Sequence, residues 1–277
     1  MTAWHFVRRS GPQRSIDATA IRRRDLAKMT LGEIESLPMV ADGNAVALGE
    51  LFSVVADLDA SDQVVIEGDL KNVHGIAAGH DQGEFLVRGS AGNGLGSGMT
   101  GGSVLVEGDV GNFLAEPIGA HKIGMSGGSI SVTGNAGDYA GHRMRRGTIV
   151  IGGSVGAMLA ASMVAGTIFV AGPVGENVGV GMKRGSLLLA NADEFVAQAD
   201  ADSLGACRRF STPQRFEPSF LALYQDPRVL NVIGQMQRLP LFRTRADRSV
   251  GGQAEILFTV SAATACGIGY EESTATP

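Results

Sequence analysis

The chain has 277 residues, enough for one large domain or two modest ones, and its net charge of −5 excludes a general nucleic-acid binder, which would carry a basic stripe. Charged residues make up 18%, and 30 of the 40 glycines lie between Gly68 and Gly185, so the glycine excess is local and needs a structural reason. Cys207 and Cys266 are too far apart in sequence to form a cysteine-rich metal motif and read as reduced thiols of a cytosolic protein, with a disulfide between them as the alternative.

In chain order, the N-terminus has basic residues but no apolar segment after them, so no signal peptide is expected. Thr30-Leu31-Gly32-Glu33 has capping-box spacing, which predicts a short helix to Leu37 that Pro38 stops. Ala45 to Val55 reads as an extended lead into the next region. Residues 1–60 do not repeat, and they are expected to cap the open end of the repeating region after them.

Residues 61–190 repeat. Units open at Val64, Phe85, Val104, Ile130, Ile149, Ile168 and Leu187, each with a short apolar strand. A glycine closes the strand at Gly89, Gly108, Gly134, Gly153 and Gly172, in steps of 19, 26, 19 and 19. A second glycine stands three residues later in each of these units. The longer step holds seven extra residues around Glu116 to Lys122. Met99, Met125, Met144, Met163 and Met182 each stand three residues before a glycine, and His80 takes the methionine's place in the first unit. One residue type held at one position of successive units predicts an interior column. A lone unit cannot bury its apolar strand, but stacked units can. The expected fold is therefore all-β: a right-handed parallel β-helix with an N-terminal cap and a small mixed C-terminal region. The repeat also explains the uncharged stretch from Thr148 to Gly175, whose glycines and Pro173 argue against a membrane helix.

Strand alternation turns the middle residue of each unit's strand outward. That position holds Leu86, Leu105, Val150, Phe169 and Leu188, an apolar stripe that should not face water. Either the chain's own C-terminal region or a partner must cover it. Residues 191–277 form a third region. Pro218 to Gln225 and Arg228 to Leu239 read as helices interrupted at Pro227. Gly251 to Phe258 reads as a turn and a strand, and the residues from about Thr259 read as a poorly ordered tail.

Several motifs carry no chemistry in this context. Gly96-Ser97-Gly98-Met99-Thr100-Gly101 fits a dinucleotide-binding pattern, but a strand comes after it where that chemistry needs a helix. His5, His74, His80, His121 and His142 show no i, i+4 zinc spacing. No activated serine, Cys–His pair or carboxylate pair stands out. One cluster remains. Arg143, Arg145 and Arg146 lie two units before Lys183 and Arg184 at equivalent positions, so stacking places them on one edge. That edge, with Phe169 of the apolar stripe, is the candidate contact for an acidic partner or a polyanionic cofactor tail.

Gly43-Asn44, Leu48-Gly49-Glu50-Leu51-Phe52-Ser53-Val54, Ile66-Glu67-Gly68-Asp69-Leu70, the repeating glycine and methionine pattern, and Pro218-Ser219-Phe220-Leu221-Ala222-Leu223-Tyr224 carry a resemblance. The chain resembles the GXGXG β-helix family of the glutamate synthase C-terminal domain and, within it, the GXGXG-type subunit of formylmethanofuran dehydrogenase. The match runs from about Leu31 to Phe258. Residue usage rich in Ala, Arg and Gly favours the bacterial relative, the formyltransferase/hydrolase complex of methylotrophs. The resemblance implies a non-catalytic scaffold in one-carbon metabolism. The complex would move a formyl group from formyl-tetrahydromethanopterin to a methanofuran-type carrier and hydrolyse it to formate. The implied partners are a formyltransferase subunit and a zinc-hydrolase-like subunit in a cytoplasmic hetero-oligomer, with no nucleic acid and no membrane. Carrier and metal would sit in those partners, and no catalytic, cofactor or metal residue is expected in this chain. The alternatives are the corresponding subunit of a redox formylmethanofuran dehydrogenase and a glutamate-synthase-like protein partnering an amidotransferase.

Overall fold

The computed structural model describes residues 2–61, 63–201, 210–217, 221 and 224–267. In chain order they form β1 (Thr2–Arg8), β2 (Ile16–Asp17), α1 (Arg23–Leu26), α2 (Leu31–Glu35), β3 (Pro38–Ala41), β4 (Asn44–Ala47), α3 (Leu48–Leu51), β5 (Phe52–Ser61), β6 (Gln63–Glu67), β7 (Val73–His74), β8 (Glu84–Arg88), β9 (Ser103–Val106), β10 (Ser126–Val132), β11 (Arg146–Ile151), β12 (Thr167–Val170), β13 (Ser186–Leu189), α4 (Asp193–Ala201), β14 (Gln214–Arg215), α5 (Pro227–Met236), β15 (Leu241–Ala246), β16 (Ala254–Thr259) and α6 (Ala262–Gly267).

The expected all-β, right-handed parallel β-helix is not the architecture. Twelve strands form one mixed sheet in the order β14-β15-β16-β13-β12-β11-β10-β9-β8-β6-β1-β5, and β4-β3-β2-β7 form a second sheet. The centre is parallel from β1 through β6 and β8–β13 to β16, and both ends turn antiparallel, at β1–β5 and through β15 to β14. The reason lies in how each unit is spent. A unit gives one short strand to the large sheet, with Val104 opposite Ile130, Ile130 opposite Ile149 and Ile149 opposite Ile168. The rest of the unit is turn, tied to its neighbours by the single-residue bridges Leu70–Ala91–Val110–Ala136–Val155–Val174. The repeat thus sets strand register, while the flanks and helices complete a mixed sheet.

The turns return through left-handed backbone. Phe113, Ala115, Tyr139, Arg143, Met158, Ala160, Ser162 and Asn177 all have φ between 53° and 66°. This conformation costs a non-glycine residue roughly 1–2 kcal/mol. It is held because amides of these turns bond neighbouring units, as in Tyr139 N to Ala157 O at 2.9 Å and Ala160 N to Ala140 O at 2.8 Å. Asparagine and aspartate side chains add two more ladders. Asn93 Oδ1 accepts from Asn112 N, Asn112 Oδ1 from Asp138 N, and Asp138 Oδ1 from Ala157 N. Asp109 Oδ1 accepts from Asn135 N and Asn135 Oδ1 from Ser154 N. Gly111, Gly137 and Gly156 stand where a Cβ would strike these oxygens, which explains the second glycine of those units.

The core runs the length of the stack. Met99, Met125, Met144, Met163 and Met182 are all fully buried, and His80 is 5% exposed at the foot of their column. The inward residues Val64, Phe85, Val104, Ile130, Ile149, Ile168 and Leu187 complete it. The uncharged stretch from Thr148 to Gly175 supplies most of β11, all of β12 and the turns after them. No helix among the described residues is long and apolar enough to cross a membrane.

At the N-terminal end Ile16 N and Ala18 N bond Asn72 O and His74 O, both at 2.8 Å, closing the first unit. Thr30 forms its capping box with Glu33 at the start of α2. The lead read as extended from Ala45 to Val55 is interrupted by α3. At the other end Asp247 Oδ2 accepts from Gly181 N at 2.7 Å, pairing an amide that the last unit would leave open. Pro227 begins α5 rather than breaking it, with Asp226 Oδ1 accepting from Arg228 N at 2.8 Å as the N-cap. Most of the stretch read as a preceding helix, residues 218–220 and 222–223, lies outside the described residues, as do Cys207 and residues 268–277. The start of the region read as tail instead forms α6.

Candidate functional site

The site grows out of the methionine column. Between each buried methionine and the glycine three residues on, two residues must round an outer corner. Their backbone stacks: Ser126 N bonds Met99 O, Arg145 N bonds Met125 O, Val164 N bonds Met144 O and Lys183 N bonds Met163 O, all at 2.7–2.8 Å. Arg145, Val164 and Lys183 therefore form one column, and Arg146, Ala165 and Arg184 the next. With about 4.8 Å between strands, Arg145 and Lys183 are roughly 10 Å apart. Arg143 sits just before the corner with φ 53°, its amide bonded to Ala161 O at 3.0 Å.

Arg143, Arg145, Arg146, Lys183 and Arg184 are all exposed, and among the described residues none of them is ion-paired. The same corner is polarised along the stack. Its first position is Asp81, 4.0 Å from Arg24, and the next are Thr100 and Ser126. The cations gather at the β11–β13 end. Guanidinium groups there offer paired N–H donors suited to carboxylate or phosphate.

Sequence reasoning missed the continuation of this edge. Arg184 Nε donates to Gln253 Oε1 at 2.9 Å. Gln253 adjoins Gly252, against which Arg248 lies, and Arg245 pairs across the strands with Glu255. The stretch from Arg243 to Arg248 is rich in charge. Only the β13–β16 and β15–β16 pairings bring it beside Arg184.

Aromatic side chains flank the edge. Phe113 and Tyr139 stack at 5.3 Å, and Tyr139 meets His142 edge-on at 5.8 Å. His142 Nδ1 lies 2.9 Å from Ala161 O, and burial holds its pKa below the ordinary imidazole value. Exposed arginines beside stacked aromatics are a composition enriched where partners bind.

Phe169 does not share this edge. It is fully buried, meets Tyr224 edge-on at 5.1 Å, and joins Val150, Leu188 and Leu257 beneath Val229, Val232, Ile233 and Met236 of α5. Those four residues have i, i+3, i+4, i+7 spacing, so one face of α5 is apolar. The cover over this part of the outward stripe is thus the chain's own helix. At its border Arg228 Nη1 donates to Ser131 Oγ at 3.3 Å. Beyond it Leu105, Leu86 and Val65 are only partly buried, and Val55, in the same cross-sheet row, is 53% exposed.

The remaining candidates fall apart in space. His80 meets Phe85 edge-on and lies 3.2 Å from Gly83 O; His74 Nδ1 accepts from Asn93 N at 2.9 Å. His5 lies 3.1 Å from Glu67. Among the described residues no three His, Cys, Asp or Glu side chains come together as a metal site. The segment from Gly96 to Gly101 is a turn leading into β9, with no helix to receive a pyrophosphate.

No family model matches the sequence, and no curated protein matches it. A solved structure does. The chain is similar to a chain of the crystal structure of the formyltransferase/hydrolase complex (FhcABCD) from Methylorubrum extorquens in complex with methylofuran. The two are 28% identical with a TM-score of 0.70, and the match covers 93% of this chain and 100% of that one.

Proposed function

We propose that this chain is the non-catalytic scaffold of a cytoplasmic formyltransferase/hydrolase complex. In this reading it holds a formyltransferase subunit and a zinc-hydrolase-like subunit together. Those partners carry the formyl group from formyl-tetrahydromethanopterin to a methanofuran-type carrier and hydrolyse it to formate. The observation that carries the reading is end-to-end similarity at 28% identity to a chain of such a complex. Full coverage of that chain matters, because a shared repeat alone would match over the repeat alone. The basic edge supports it as well. Five cations without an ion-pair partner among the described residues, on a chain of net charge −5, form a local field of opposite sign. Such a field suits an acidic partner surface or a polyanionic carrier tail.

The test is capture from the native host. The full chain, tagged, is purified at moderate salt and its companions are identified by mass spectrometry. Formyltransferase and zinc-hydrolase-like subunits in fixed ratio are expected. A chain that elutes as a stable monomer and retains neither overturns the proposal. Retention of a redox formylmethanofuran dehydrogenase instead would replace it with the redox reading.

A further inference from the structure

At the opposite end of the large sheet, the loop after β1 closes a cavity of about 420 Å³ against the first turn of the repeat. Arg8, Arg9 and Arg14 line it, with Gln13, Asp69 and Asn72. Backbone carbonyls pin two of the three guanidinium groups. Arg8 Nη1 donates to Leu51 O at 2.8 Å and to Arg9 O at 3.1 Å, and Arg9 Nε donates to Gly49 O at 2.8 Å. Arg14 Nε stands 4.0 Å from Asp42, an exposed and loose pair. Each group keeps further N–H donors free of these contacts, since a guanidinium carries five.

The wall holds one carboxylate, Asp69, and it is already engaged. Gln13 Nε2 donates to Asp69 Oδ2 at 3.1 Å, and Asn72 Nδ2 donates to Gln13 Oε1 at 3.4 Å. Three cations line the cavity against one lining carboxylate; Asp42, loosely paired with Arg14, lies outside the lining, so the wall itself is net positive. Arg8 is the most constrained of the three cations. Desolvation first, then the like charge of Arg14, works against its charged form, and Asp69 only partly offsets this. A dianion would relieve that repulsion, and the backbone tethers hold two guanidinium groups in place before it arrives.

We propose that this cavity is a binding site for a dianionic oxyanion, with a phosphomonoester as the ligand class. Arg8 and Arg9 at one end of the loop and Arg14 at the other supply guanidinium donors of the kind that bind a tetrahedral oxyanion. The volume, within the range of small-molecule sites, leaves room for an organic substituent. The site is separate from the basic edge, which lies at the β11–β13 end.

Calorimetric titration of the full chain with inorganic phosphate at constant ionic strength tests it. Saturable binding to one site is expected, and glycerol 2-phosphate should bind at least as tightly. Arg9→Gln and Arg14→Gln should each weaken phosphate by about tenfold, the loss of one charge-assisted bond. Arg14→Lys, which keeps the charge but not the fork, should fall between. Arg238→Gln, at an exposed residue outside both the cavity lining and the basic edge, should bind like the wild type. The exposed Arg14 pair contributes little to folding, so Arg14→Gln remains informative, and circular dichroism verifies its fold. No saturable heat, unchanged affinity in the Arg9→Gln/Arg14→Gln double variant, or tighter binding of glutarate than of phosphate overturns the proposal.

Discussion

The ε-methyl of Met144 lies over Gly166 of the next unit, so close that a Cβ on Gly166 would sit 2.8 Å from it. Met99 with Gly128, Met125 with Gly147 and Met163 with Gly185 repeat the relationship. At the foot of the column the ring of His80 meets Gly102 in the same way. The methionine and the glycine of the pattern are therefore partners across units, although each of these units also contains one of each.

Gly166→Ala adds a methyl where Met144 stands and a Cβ at φ 116°, so it should cost about 2–4 kcal/mol of unfolding free energy by urea denaturation. Met144→Ala should cost about 2–5 kcal/mol by leaving a cavity. The double variant should lose clearly less than the sum, because the small side chain makes room for the added methyl. Strict additivity would show that the two residues do not meet.

Phe169 is covered by α5 of the same chain. Phe169→Ala should therefore cost about 3–5 kcal/mol in the isolated protein, with no partner present. Phe169→Asp should leave it unfolded by circular dichroism, since an unpaired charge would lie under the helix. A folded, monomeric Phe169→Asp variant would mean that α5 does not seal this stripe.

The buried His80 makes stability depend on pH. Burial, against the opposing pulls of the Gly83 carbonyl and Asp81, holds its pKa below the ordinary value. Protonation is then easier in the unfolded chain. Its contribution is fully present above the unfolded value, about 6.5, and is lost as pH falls through it toward the folded one. His80→Met, which extends the methionine column, should flatten the decline in melting temperature below that pH. A residual slope should remain from His142, which burial shifts in the same direction. An unchanged slope in His80→Met would assign the decline to other groups.

The proposed contact at the basic edge predicts that binding and folding separate there. Arg145→Glu with Lys183→Glu removes two exposed cations that have no ion-pair partner among the described residues. Stability should change by less than about 0.5 kcal/mol per site, while capture of partner subunits should drop and become less sensitive to salt. Loss of the fold, or unchanged capture at low salt, would remove the edge from the interface.

Much of the basic edge was legible because Arg145 and Lys183 share a position in units of equal length, and equal spacing stacks side chains. Arg248 was not, since it reaches the edge through strand pairings outside the repeat. Phe169 was legible as an outward apolar residue. Its fate was not, because the apolar face of α5 marks that helix as amphipathic without naming the surface it meets.

The sequence by itself determined the strand register, the buried methionine column and the corner where the cations gather. These depend on contacts between residues a fixed number of positions apart, and a repeat writes that number into the chain. Tertiary structure alone decided that the strands belong to a mixed sheet, closed antiparallel by β5 at one end and by β15 and β14 at the other. It also decided that non-glycine residues such as Tyr139 and Ala160 would take left-handed backbone, and that α5 would lie over Phe169. Those outcomes balance burial and hydrogen bonding among segments with no common period, so no local pattern records them.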